Sequence, residues 1–157
     1  MAESTYASLD IVPTWATFND ELIRLVDYVP EDKISWSPKS ELWNFRGILL
    51  HLADARDNWL GHDVGDGVEW TAVWHVVRTK PEIQEALRRT WARLERFLSD
   101  ASLLDATYDI ADPGQPPEQK PGHWIAFHLL EHDIHHRADI LHYLALLGIE
   151  HPGVGTP

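Results

Sequence analysis

Four blocks of apolar residues at helical spacing, separated by proline- and glycine-marked breaks, constrain this chain more than any other feature. The first runs from about Ser8 to Val29, with Val12, Trp15, Phe18, Leu22, Leu25 and Val29 on one face; Pro30 ends it. Ile34 to Pro38 reads as an extended linker, since a residue before proline is pushed out of the α region. Ser40 is the expected N-cap of a second block, Glu41 to Gly61, whose inward stripe is Phe45, Ile48, Leu52 and Trp59. The pattern then fails from His62 to Thr79, a segment that contains Trp70 and Trp74. Pro81 suits the first turn of a third block that reaches Ser99, with Ile83, Leu87, Trp91, Leu94 and Leu98 facing inward. Ala111 to Gly122, rich in proline, is expected to be a loop. A fourth block runs from Gly122 or His123 to Leu147, closed by Gly148.

Four such helices with no credible strand series predict an all-α fold, a four-helix bundle with long connections. Residues 1–150 are expected to form a single helical-bundle domain and 151–157 a mobile tail.

Composition narrows the chemistry. The 13 Lys and Arg face 25 Asp and Glu, for a formal charge of −12, which repels a phosphate backbone and argues against nucleic acid as a partner. The N-terminus lacks the basic and apolar regions of a signal peptide, and no apolar run is long enough to span a bilayer, so a cytoplasmic location without membrane contact is expected. With no cysteine, any transition-metal site must be built from His, Asp, Glu and water.

The fourth block holds a dense run of histidines: His123, His128, His132, His135, His136 and His142. His128/His132 and His132/His136 are spaced four apart and His132/His135 three apart, so each pair lies close enough on a helix to share an ion. They cannot all bind together, because the rise from His128 to His136 is roughly 12 Å. On a helical wheel His132 and His136 fall in the apolar stripe of Ile125, Leu129, Ile140, Tyr143 and Leu147; His135 falls beside Glu131 and His142, and His128 on the edge. Two imidazoles in an apolar stripe need polar partners, and a metal ion satisfies both, so His132/His136 is the preferred pair. His51, on the flank of the second block's stripe, is the suggested third ligand. Structural, hydrogen-bonded histidines are the competing reading.

Residues 48–60, ILLHLADARDNWL, and 128–148, HLLEHDIHHRADILHYLALLG, resemble the two signature stretches of the DinB-like family, also called YfiT-like metal-dependent hydrolases. ISWSPKSELWNFRGILLHL (34–52) also fits the run into that family's second helix. The resemblance implies one divalent metal held by His51, His132 and His136. Arg137-Ala138-Asp139 stands where the family often has Arg-Gly-Gln, so a role for that Gln does not transfer. The resemblance further implies thiol-dependent transferase or isomerase chemistry, although many members have no established reaction.

Three imidazoles leave open positions on an ion and suit Zn, Ni, Fe or Cu alike. The expected function is therefore a small-molecule transferase, using a low-molecular-weight thiol, or a hydrolase. The alternative is a non-catalytic metal- or ligand-binding stress-response protein. Glu131 and Asp54 are the candidate acid/base or ligand-orienting groups, with Asp57 read as a solvated carboxylate. His128-Leu-Leu-Glu131-His132 also matches the inverted zinc-protease pattern, but the one Glu downstream is Glu150, in the tail. Trp70 and Trp74 either line a pocket over the metal or cover the bundle end. A second apolar stripe on the fourth block, Phe127, Leu130, Ile134, Leu141 and Ala145, suggests a homodimer.

Overall fold

The computed structural model describes residues 11–111, 114 and 116–151. The predicted start of the first block at Ser8 and most of the expected tail lie outside them. Four long helices follow the four apolar blocks: α1 (Ile11–Tyr28), α2 (Phe45–Asn58), α4 (Lys80–Leu98) and α6 (Gly122–Leu146), with short α3 (Val73–Val76) and α5 (Ala101–Asp105) between them. α1 and α2 each pack against both α4 and α6. The chain thus crosses the bundle between α1 and α2, which is why that connection is long, and α2 lies directly beside α6.

Two expectations are corrected. Asn44, not Ser40, caps α2, its Oδ1 accepting from the N–H of Gly47 at 2.8 Å. The linker competes for the residues before it: the N–H groups of Phe45 and Arg46 donate to the carbonyls of Trp36 and Ile34, so 41–44 stay outside the helix. The expected loop before α6 contains a strand. β1 (Thr107–Ile110) pairs antiparallel with β2 (Glu118–Pro121), Thr107 opposite Pro121 and Ile110 opposite Glu118. Strands of four residues carry too little alternation to be seen in sequence.

The other ends follow their local chemistry. Thr79 and Glu82 form a reciprocal capping box at α4, with Pro81 in its first turn. Gly148 at φ 68° closes α6. α2 continues into a π-helical turn, Trp59–Val64. At the start of α6, Gly122 permits a close approach to α5: a Cβ there would lie 2.3 Å from the Leu103 carbonyl oxygen.

The core is two apolar clusters with a polar layer between them. One contains Leu22, Ala53, Leu87 and Ile140; the other contains Trp15, Leu60, Leu94 and Leu129. Between them each long helix contributes a buried polar residue, Asn19, Arg56, Thr90 and Asp133, with Asp57 and Arg93 buried as well on α2 and α4. Arg56 donates to Asp133 Oδ2 at 2.6 Å and Asn19 Oδ1 at 2.8 Å, and Trp15 Nε1–H donates to Asp133 Oδ2 at 2.7 Å. A misaligned helix would leave these groups unpaired in the core, so the layer fixes register.

Asp57 is also corrected. It is fully buried, not solvated, held by Arg89 at 2.6 Å and by Arg93, which in turn binds Asp66 at 2.8 Å. Its role is to tie α2 to α4 and to the segment after the π-helical turn.

Candidate metal centre

Because α2 and α6 are neighbours held in register by Arg56 and Asp133, the flank of one helix meets the stripe of the other. His51, His132 and His136 meet there: one nitrogen of each lies within 4.8 Å of the others, and all three rings are partly buried. His51 Nε2 and His132 Nε2 are 2.7 Å apart. Nitrogens bonded to one ion at about 2.0–2.1 Å lie no more than about 4.2 Å apart, so a small inward adjustment of the widest pair would bring all three onto a single ion.

The electrostatics favour ligands over bases. Burial first, and then the neighbouring His136, lowers the His51 pKa to about 4, with Asp54 acting in the opposite direction. Burial, followed by His51, His136, His128 and Arg56, lowers His132 to about 3. Both rings are neutral at pH 7 and carry the lone pairs a metal requires. His132 Nδ1 is buried without a hydrogen-bond partner, so it is the Nε2 side of this ring that has polar company. A neutral imidazole carries one N–H, so without metal one Nε2–H donates to the other Nε2, and a cation between the two would take that proton's place. The donor set therefore fits a divalent ion.

The remaining histidines separate as the wheel indicated. His135 is exposed and outside the trio, though it belongs with His136 and Asp139 to a second group of close ligand atoms. His128 packs against Trp59 at 4.9 Å and Trp124 at 5.3 Å between ring centroids. Neither His128 nor Glu150 belongs to a ligand group among the described residues, so the inverted-protease pattern finds no support there.

Asp54 is half-buried, and its Oδ1 accepts from Trp70 Nε1–H at 3.0 Å, one helical turn from His51. Glu131 is exposed and makes no hydrogen bond or ion pair among the described residues.

Sequence reasoning missed two neighbours of the trio. Trp43, in the segment displaced from α2, meets the His51 ring edge-on at 4.3 Å and lies parallel to His136 at 6.2 Å. Trp74 packs on Trp43 at 5.9 Å, so it supports the cover from behind while Trp70 holds Asp54. Asp139 Oδ2 accepts from His136 Nδ1 at 3.1 Å. The only advance signal was spacing, since Asp139 follows His136 by three residues. Trp43, Asp139, His136 and Tyr143 line a cleft of about 350 Å³. A larger cleft of about 650 Å³, lined by Trp59, Lys120, Trp124 and His128, does not include the trio.

The DinB family profile matches residues 1–157. The chain belongs to the DinB family. Its fold is shared with DinB-like proteins of Bacillus cereus (18% identity, TM-score 0.73) and Bacillus subtilis (17%, TM-score 0.70), each match covering 92% of this chain and 95% of the other. A member of the family from Exiguobacterium sibiricum is similar as well, at 17% identity and TM-score 0.68, over 94% of this chain and 98% of that one. No curated protein matches the chain. This DinB protein thus has the helical fold expected of its family and a three-histidine group able to hold a metal. No helix among its described residues is long and apolar enough to cross a membrane.

Proposed function

We propose that this DinB protein is a metal-dependent enzyme acting on a small molecule in the cytoplasm, a transferase or a hydrolase. The observation that carries this reading is the meeting of three imidazoles, His51, His132 and His136, beside an open cleft. A divalent ion held there would bring the pKa of a bound water or thiol towards neutrality and polarise an acceptor. The chain has no cysteine, so in a transferase the thiol arrives as a separate low-molecular-weight co-substrate.

The protein's own side chains supply the rest. Trp43 covers the imidazoles and narrows water access, and with Leu42 it gives the cleft an apolar wall suited to a small, partly apolar substrate. Asp54, held by Trp70, is the carboxylate placed to accept a proton near His51, and Glu131 is the solvent-side candidate. The exposure of Glu131 favours a second reading, a non-catalytic metal- or ligand-binding protein. We also propose a homodimer, since Phe127 and Ile134, two turns apart on α6, are 66% and 43% exposed.

Metal analysis of protein purified without a His-tag is the primary test. One divalent ion per chain, lost in His51→Ala and His136→Ala, is expected; unchanged content in both variants would remove the site. Turnover on a panel of low-molecular-weight thiols and electrophiles then decides between enzyme and binding protein. Monomer alone in light scattering at micromolar concentration would remove the dimer.

A further inference from the structure

The trio is not held symmetrically. His132 Nδ1 is buried without a partner, whereas His136 Nδ1 lies 3.1 Å from Asp139 Oδ2, one turn along the same helix. An imidazole that donates its Nδ1–H to a carboxylate carries its lone pair on Nε2. The other faces of His136 are also occupied: Trp43 lies parallel to the ring at an interplanar angle of 3°, and His51 and His132 meet it at 86° and 75°. Trp43 is itself anchored, since the Tyr143 hydroxyl donates to its backbone carbonyl at 3.1 Å.

We propose that Asp139 is a positioning residue of the metal centre, fixing His136 in the Nδ1–H tautomer so that Nε2 faces His51 and His132. This rests on the metal-binding reading above. A carboxylate behind a ligating histidine raises its basicity and limits its rotation, and removing such a partner costs 10–100-fold in metal affinity.

A second reading of these atoms is weaker. His135, His136 and Asp139 lie close enough to hold a cation of their own. That arrangement would need His136 Nδ1 as a ligand, so His136 could serve both ions only as an imidazolate. His135 is also two-thirds exposed, with its Nε2 3.8 Å from Asp139, beyond hydrogen-bond reach.

The experiment is zinc titration of the metal-free full chain, with nitrogen-15 NMR of the His136 tautomer as a readout independent of activity. Asp139→Ala is expected to weaken zinc binding 10–100-fold and to mix the His136 tautomers. Asp139→Asn, whose amide oxygen still accepts from Nδ1–H, is expected to restore the tautomer and most of the affinity. His135→Ala is expected to bind zinc within threefold of wild type. Wild-type affinity and tautomer in Asp139→Ala would overturn the proposal, as would Asp139→Asn behaving like Asp139→Ala. Two zinc ions per chain, one lost on changing either His135 or Asp139, would overturn it in favour of a separate cation site. Wild-type zinc affinity in His136→Ala would instead remove the metal centre itself, an outcome distinct from failure at Asp139.

Discussion

Replacing Asp133 with alanine tests the claim that the polar layer sets the register of α2 against α6. Arg56 is fully buried and Asp133 is 6% exposed, so the carboxylate is the charge that balances this guanidinium in the core. Without it, Arg56 keeps Asn19 and the Leu87 carbonyl, at 2.8 and 3.5 Å, and Trp15 Nε1–H loses its acceptor. Breaking a buried pair from one side costs about 3–5 kcal/mol, within which the stranded indole accounts for about 1–3. That is a large share of the roughly 5–15 kcal/mol by which a domain is stable. With a urea m-value of about 2 kcal/mol/M, the midpoint should fall by about 1.5–2.5 M. The double replacement Arg56→Met with Asp133→Leu removes both charges and fills the layer with apolar atoms. It should recover most of the loss, because apolar substitutes for buried pairs are often neutral or better. Since Asp133 adjoins His132 and Arg56 lies five residues beyond His51, the single variant should also weaken metal binding. A midpoint shift under about 0.5 M in Asp133→Ala, or a double variant no better than the single one, would refute the reasoning.

Acidification should destabilise the metal-free protein. Unfolded histidines take up protons as pH falls through about 6.5, while folded His51 and His132 stay neutral down to about 4 and 3. In that window the unfolded chain binds more protons, so stability falls with pH below 6.5 and is unaffected above it. Urea midpoints at pH 7 and 5 should therefore diverge more in wild type than in a His51→Gln, His132→Gln variant. Zinc at a hundredfold over its Kd should add about 2.7 kcal/mol, or about 5–10 °C in Tm, removed by chelator and absent in His51→Ala. Gly122→Ala should cost about 1–3 kcal/mol by thermal unfolding, because its Cβ would meet the Leu103 carbonyl oxygen and Leu104 Cα at 2.3 and 2.8 Å.

The helices and the pair His132/His136 were legible because both depend on spacing within one segment, whereas His51, on another helix, was assigned through the resemblance to the DinB-like family. His132 and His136 stood out on the wheel once Ile125, Leu129 and Ile140 defined the stripe, and those three are fully buried. What escaped depends on pairing between segments. Asp57 reads as one more acidic residue on an acidic helix until Arg89 and Arg93 of α4 are placed beside it. The cap of α2 moved to Asn44 because the linker's carbonyls at Ile34 and Trp36 compete for the helix's first N–H groups, and helical periodicity carries no trace of that. Trp43 was displaced by the same competition, and this is why its place over the histidines was invisible.

The same division explains how the ligand set is held in place. His51, His132 and His136 bring three partly buried rings together, their ligand nitrogens within 4.8 Å, and one buried nitrogen among them, His132 Nδ1, is unpaired. An unpaired buried polar atom of this kind costs stability in the metal-free protein. The helices are held beside the trio, because the ion pair of Arg56 and Asp133 crosses the same helix interface next to His132, and Asp57 binds α2 to α4 on another side. The buried polar residues thus hold the ligand set in register, and binding an ion there would add stability by mass action.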